Sequence, residues 1–179
     1  RDNGEAVFEH GRGGSCAVIC PWNFPLAIPC GMVAAALAAG NRVVFKPAEQ
    51  TPRIGAIFAQ MAHAAGVPRE VLRHTPGDGA VGQAILAHPG ITDVVFTGSH
   101  AVGSRIHAQM RGRQNPTTGN LARVITEMGG KNAIIVTASA DFDEALSGVL
   151  YAALGHAGQK CSACSRLLID ERIADRFLD

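Results

Sequence analysis

No apolar run in this 179-residue chain approaches the length of a membrane span, so the segment carries no sign of a transmembrane helix. It also lacks a basic block. Its 16 Lys and Arg are dispersed and balanced to a formal net charge of +1, which gives nucleic-acid binding no electrostatic support. The opening RDNGEAVFEH has neither an apolar signal region nor an initiator Met. There is no internal repeat and no low-complexity tract. There is also no G-x-G-x-x-G, so the usual dinucleotide fingerprint is missing. What is present is a 47% hydrophobic, 17% charged composition, that of a soluble globular domain rather than a disordered one. The length suffices for a real core. The closing DERIADRFLD stops in what reads as an unfinished helix, and the expectation is a piece of a longer protein.

Five cysteines (Cys16, Cys20, Cys30, Cys161 and Cys164) without a secretion signal point to a reducing compartment. Cys161 and Cys164 form a C-x-x-C inside AGQKCSACSR, which is open to three readings. Zinc fails on geometry. An extended Cys16–Cys20 separates its ends by roughly 13 Å, while two thiolates on one zinc lie no more than roughly 4.6 Å apart. No matching His pair completes such a site, and Cys16, Cys20 and Cys30 read as buried structural thiols. A redox dithiol fits poorly too, because this C-x-x-C follows a helix and a Gly-Gln-Lys turn late in the chain. A nucleophile at Cys161 is the third reading. Lys160 beside it and backbone N–H groups of a Gly-containing loop would favour the thiolate.

Apolar runs alternate with Ala-rich helical patterns. CAVIC (16–20), RVVFK (42–46), VLRH, DVVFT, ARVITE, NAIIV and RLLID read as strands. Between them, AIPCGMVAAALAAG reads as a helix closed by Gly40. RIGAIFAQMAHAAG reads as a helix with Thr51 as N-cap, Pro52 at its first position and Gly66 at its end. AVGQAILAH, AVGSRIHAQM and a stretch from Asp141 are further helices. Repeated β-α-β-α predicts an α/β fold: a Rossmann-like parallel sheet with helices on both faces. The turn-rich RGRQNPTTGN (111–120) is the best boundary candidate by composition.

Three segments stand where chemistry can occur. In CPWNFP, Pro21 and Pro25 fix the backbone around Asn23; a rigid carboxamide there suits an oxyanion site, and a plain structural turn fits as well. In FKPAEQTP, Lys46 and Glu49 follow a strand's carboxyl end, where open α/β sheets bind ligands; a carboxylate there can take both hydroxyls of a ribose, and a solvated Glu/Lys loop is the alternative. In FTGS, Gly98 and Ser99 open a helix whose free N–H groups suit a diphosphate. Glu127, before Gly129 and Gly130, can act as a general base.

These segments, in this order, resemble the aldehyde dehydrogenase superfamily: PWNFP, FKPAEQTP, FTGS, EMGGKNA and GQKCSACSR. The likeness runs from about Cys16 to the C-terminus, and the last two motifs look most like 1-pyrroline-5-carboxylate (L-glutamate γ-semialdehyde) dehydrogenases. These occur as single enzymes or as a domain of bifunctional proline-utilisation proteins. The resemblance implies NAD as cofactor and a small aldehyde as substrate. It implies Cys161 as nucleophile, Asn23 as the oxyanion amide and Glu127 as the base that activates water. Lys46 and Glu49 match contacts to the adenosine ribose; Gly98 and Ser99 match the diphosphate; Trp22 and Gly129 are carried over as further cofactor contacts. Ser162 matches a residue that holds the substrate's distal carboxylate, and Cys164 matches no role.

It further implies a partial NAD-binding domain over 1–126 and the start of an α/β catalytic domain over 127–179. A homo-oligomeric full-length protein is implied as well, cytoplasmic or, in a eukaryote, in the mitochondrial matrix. Thr126 departs from the aliphatic residue common before the base. The segments with a second NAD-binding Glu, the loop that grips the substrate carboxylate and the oligomerisation strands are not among these residues.

Overall fold

The computed structural model describes residues 14–116 and 118–178. The chain parts into two compact units, the first reaching to Glu127 and the second beginning at Met128. The polar segment 111–120 therefore lies inside the first unit and is not a boundary. It links a helix to the strand that completes the sheet, and Asn115 N donates to Asn120 O at 2.7 Å across its turn.

The first unit holds β1 (Ser15–Ile19), α1 (Ala27–Ala38), β2 (Arg42–Lys46), α2 (Pro52–Ala64), β3 (Leu72–His74), α3 (Gly79–Ala87), β4 (Ile91–Thr97), α4 (His100–Met110) and β5 (Arg123–Glu127). All strand pairs are parallel, in the order β3-β2-β1-β4-β5. This is the doubly wound arrangement expected from alternating strands and helices. The order reverses between β1 and β4, which marks the switch point where such sheets take ligands.

Strand alternation builds the two sides of the sheet. Cys16, Val18 and Cys20 join a core with Val33, Ala36, Val43, Phe45 and Leu72, flanked by Met32 and Leu37 of α1 and Phe58 and Ala62 of α2. On the opposite alternation, Ala17, Val94 and Phe96 are buried, as are Ile85 and Leu86 of α3 and Ile106 and Met110 of α4. α3 packs on α4, β1 and β4.

Local chemistry explains most element ends. Gly40, at φ 77°, takes the left-handed position that ends α1; its N–H donates to Leu37 O at 2.9 Å, and Asn41 N donates to Ala36 O at 3.1 Å. Asp78 caps α3 by accepting from Ala80 N and Val81 N. Thr51 does not cap α2 as its residue type suggests. Its φ/ψ of −132°/48° departs from the extended backbone of a capping residue, and its Oγ1 is buried without a partner. Cys30 is exposed on α1, not a buried thiol.

The second unit holds β6 (Asn132–Val136), α5 (Phe142–Leu154), β7 (Cys164–Ile169) and α6 (Ala174–Leu178), with β6 and β7 paired in parallel. Asp141 caps α5 by accepting from Glu144 N at 3.0 Å. Among the described residues, no helix is long and apolar enough to cross a membrane.

Candidate active site

The carboxyl edge of the five-stranded sheet collects most of the residues that the sequence nominates. Register makes this plain: Ile19 pairs with Lys46 on one side and Phe96 on the other, and Thr97 pairs with Glu127. Asn23 follows β1, Lys46 ends β2 with Glu49 just beyond, Gly98 and Ser99 follow β4, and Glu127 ends β5. Four strands thus deliver their candidate side chains to one edge.

Lys46 is only 6% exposed, although it carries an ammonium group. Its aliphatic stem passes α3 at Gly82, where an added Cβ would lie 3.6 Å from the Lys46 Cδ and Cε. Its Nζ donates to Pro47 O at 3.3 Å. Burial pulls its pKa below the ordinary lysine value, and the carboxylates of Glu49 and Asp78 partly offset that pull. Glu49 is exposed, its carboxylate touched by Gln50 Nε2 at 3.5 Å.

Gly98 is required by close approach, since a Cβ there would fall 2.5 Å from the Phe96 ring. Its N–H donates to Glu127 O at 3.0 Å and ties β4 to β5 beyond the ladder. Ser99 caps α4, its Oγ accepting from Val102 N at 3.4 Å. The N–H groups at the start of a helix have no intrahelical acceptor, so the first turn of α4 offers donors to an anion. Asn23 is half-buried and its Oδ1 accepts from Phe24 N at 3.2 Å, while Trp22 beside it is 43% exposed. Glu127 is exposed. Thr126 before it bonds through Oγ1 to His107 Nε2 of α4 at 2.9 Å, which gives a polar residue at this position a structural partner.

The second unit carries Cys161, Ser162 and Gly129, all exposed. Cys161 and Ser162 are the central residues of a turn closed by Ala163 N donating to Lys160 O at 3.1 Å. A trans peptide points its C=O and N–H in opposite directions, so the turn-facing Lys160 carbonyl directs the Cys161 N–H outward. Just upstream, His156, Ala157 and Gly158 all lie in the left-handed region, at φ 56°, 54° and 70°. For the two non-glycine residues this costs about 1–2 kcal/mol each, a strained elbow leading into the cysteine turn.

One sequence expectation needs correction here. Lys160 does not serve the Cys161 thiol: its Nζ sits over the Tyr151 ring of α5, 4.9 Å from the centroid. Cys164 opens β7 and its thiol donates to Arg166 O at 3.2 Å, with both C-x-x-C thiols free. Cys16 and Cys20 lie buried within and at the end of β1, and burial pushes both thiols up to about 12. Among the described residues, no group of three or more His, Cys, Asp or Glu is placed to hold a metal ion.

Sequence reasoning missed Asn132 and the part that Gly130 plays beside it. The Asn132 carboxamide donates to Cys161 O at 2.6 Å and to Ala163 O at 3.3 Å. Gly130 leaves the room for it: an added Cβ would lie 3.2 Å from both Asn132 Nδ2 and Cys161 O. The available signal was a short carboxamide placed between Gly-Gly-Lys and an apolar strand.

Comparison with known proteins bears on the family and the fold. The aldehyde dehydrogenase family model matches residues 2–179. The chain is 44% identical over 163 residues to the 1-pyrroline-5-carboxylate dehydrogenase of Bacillus subtilis (strain 168), covering 90% of this chain and 32% of that protein. It therefore spans about a third of the length of the curated relatives it matches. Among solved structures, proline utilization A of Bdellovibrio bacteriovorus, inactivated by N-propargylglycine, superposes with a TM-score of 0.88 at 48% identity, over 94% of this chain and 18% of that one. The Thermus 1-pyrroline-5-carboxylate dehydrogenase with bound NAD superposes with a TM-score of 0.85 at 44% identity, over 92% of this chain and 32% of that one. With a family model spanning nearly every residue, the chain belongs to the aldehyde dehydrogenase family.

Proposed function

We propose that the chain forms the NAD-binding part and the nucleophile loop of an NAD-dependent dehydrogenase that oxidises L-glutamate γ-semialdehyde to L-glutamate. The observation that carries the reading is the gathering of Asn23, Lys46, Glu49, Ser99 and Glu127 at one sheet edge, beside the switch point. The names of relatives 44–45% identical support the substrate class.

The residues present fit a dinucleotide. The first turn of α4 offers N–H donors for a diphosphate, and side-chain-free Gly98 allows backbone approach. Glu49 would accept from the adenosine ribose hydroxyls and Lys46 would donate to them, with Trp22 and Gly129 as further contacts. A carboxylate at Glu49 favours the form without a 2′-phosphate. NAD, when bound, supplies the acceptor for the hydride that leaves the substrate carbon.

The remaining work belongs to the chain. The Cys161 thiolate attacks the aldehyde carbon, forming a carbon–sulfur bond and leaving an oxyanion. The Asn23 carboxamide and the outward Cys161 N–H donate to that oxyanion. After hydride loss, Cys161 holds the acyl group as a thioester. Glu127 takes a proton from water, whose oxygen attacks the thioester, releasing the carboxylic acid and the thiolate. Ser162 donates to the substrate's distal carboxylate. In the full-length protein that carries this chain, Cys161→Ala should lose turnover while still binding NAD; retained turnover would sink the assignment. Faster oxidation of glutamate semialdehyde than of simple aliphatic aldehydes supports the substrate, and the reverse order points to an aldehyde dehydrogenase of other specificity.

A further inference from the structure

We infer that Asn132 is the positioning residue of the nucleophile turn, acting on Cys161 through the backbone; the inference rests on the reading of Cys161 given above. A carboxamide NH2 has two donors, and here they meet the carbonyls on either side of Ser162, at Cys161 O and Ala163 O. The turn's own hydrogen bond engages the peptide between Ser162 and Ala163 through its N–H and the peptide between Lys160 and Cys161 through its C=O. The middle peptide, between Cys161 and Ser162, has no such bond, and Asn132 is what holds its carbonyl. Because that peptide is trans, drawing its carbonyl toward Asn132 turns the Ser162 N–H away from it.

The surroundings are arranged to keep Asn132 in place. Asn132 opens β6 and pairs with Cys164 at the start of β7, beside a register shift after which Ala133 pairs with Arg166. Arg166 of β7 donates through Nε and Nη2 to Lys131 O, at 3.1 and 2.7 Å, fixing the residue before it. Gly130 keeps the space that Asn132 Nδ2 and Cys161 O occupy. The GGKN run thus reads as one device: Gly130 clears the space, Lys131 anchors the backbone and Asn132 holds the turn.

The test compares Asn132→Ala, Asn132→Asp and Gly130→Ala in the full-length protein. Asp keeps the shape of Asn but presents oxygens to two carbonyl oxygens, so it should be at least as damaging as Ala. Both Asn132 variants should lower kcat by about 10- to 100-fold, the scale of a small misplacement of a reacting group. The KM for NAD should stay near the unsubstituted value, and the pH profile of Cys161 alkylation by iodoacetamide should shift. Gly130→Ala should give the same pattern more weakly, and Asn132→Ser, which keeps one donor, should recover part of the loss. An Asp variant with unaltered kcat and alkylation profile overturns the inference, as does a loss confined to the KM for NAD. A Cys161→Ala control separates the two readings. If it retains turnover, the nucleophile assignment fails; if it is silent while the Asn132 variants behave normally, only the positioning role fails.

Discussion

The two units are held together by different means. The first buries a sheet on both faces, with Ala17, Val18, Phe45 and Val94 at 0% exposure. The second contributes only Val136 and Phe177 to the buried apolar residues, among those described, and α5 buries none of its side chains. Ile135 and Leu168, paired in register on β6 and β7, stay 71% and 54% exposed. Where apolar burial is scarce, polar ties set the geometry: the Asn132 carboxamide, the Arg166 guanidinium on Lys131 O, and the Lys160–Ala163 turn. The edge proposed for the cofactor thus rests on a core, and the proposed nucleophile rests on a few directional hydrogen bonds. Core burial resists many substitutions in small steps; a hydrogen-bonded loop depends on single groups.

The sharpest way to break this comparison is to cut equally deep in both units. Phe45 is fully buried, edge-on to Phe58 at 5.5 Å between centroids. Phe45→Ala should cost about 3–5 kcal/mol in denaturant unfolding. In the 179-residue chain by itself, Ile135→Ala and Leu168→Ala should each change stability by no more than about 0.5 kcal/mol, as exposed sites do. Equal losses in the two units would overturn the contrast.

Gly98→Ala is the next in size. Its Cβ would meet the Phe96 ring, itself buried, so overpacking should cost about 1–3 kcal/mol and weaken NAD binding at the same edge. Full NAD affinity in that variant would separate the cofactor from this edge.

Alkaline pH probes the same core. Cys16 and Cys20 have thiols raised by burial from 9.0 to about 12, so the folded state holds protons that the unfolded state releases. Their contribution is intact below pH 9 and is lost as pH rises toward 12. Cys16→Ala should flatten that alkaline decline, measured as Tm against pH; an unchanged slope would contradict it. Lys46 works in the opposite sense. Its lowered pKa means that stability recovers as the ammonium loses its proton below the ordinary value of 10.5, and Lys46→Met should remove that recovery.

The smallest effect belongs to His74. Burial, with His63 adding to it, lowers its pKa, so the unfolded state binds the proton more readily. Stability should fall modestly as pH drops through about 6.5, the ordinary histidine value. His74→Phe should abolish that step; a step of unchanged size would assign it to another group.

Much of the first unit was legible in the sequence, because alternating strands and Gly-closed helices follow from local chemistry. RVVFK maps onto β2 residue for residue, and Gly40 and Gly66 close the helices they were expected to close, both at positive φ. What failed depended on side-chain direction. Thr51 has the composition of a cap and not the backbone of one. Lys160 adjoins Cys161 in sequence, yet its ammonium goes to the Tyr151 ring. Asn132 sits 29 residues from the carbonyl it holds, a pairing that only the β6–β7 register creates. The left-handed run at His156 and Ala157 is equally hard to read from sequence, since alanine does not favour that region and histidine enters it only in a minority of cases.

In the proposed mechanism Cys161 Sγ is the atom that carries the acyl group. The most direct measurement is mass spectrometry of all the cysteine-containing peptides, 158–166 among them, from the full-length Glu127→Gln protein, quenched after a single turnover with NAD and glutamate semialdehyde. Slowed hydrolysis should leave the acyl group on Cys161 and none on Cys164 or Cys30. An adduct on another cysteine, or complete turnover with no adduct at all, would contradict the account.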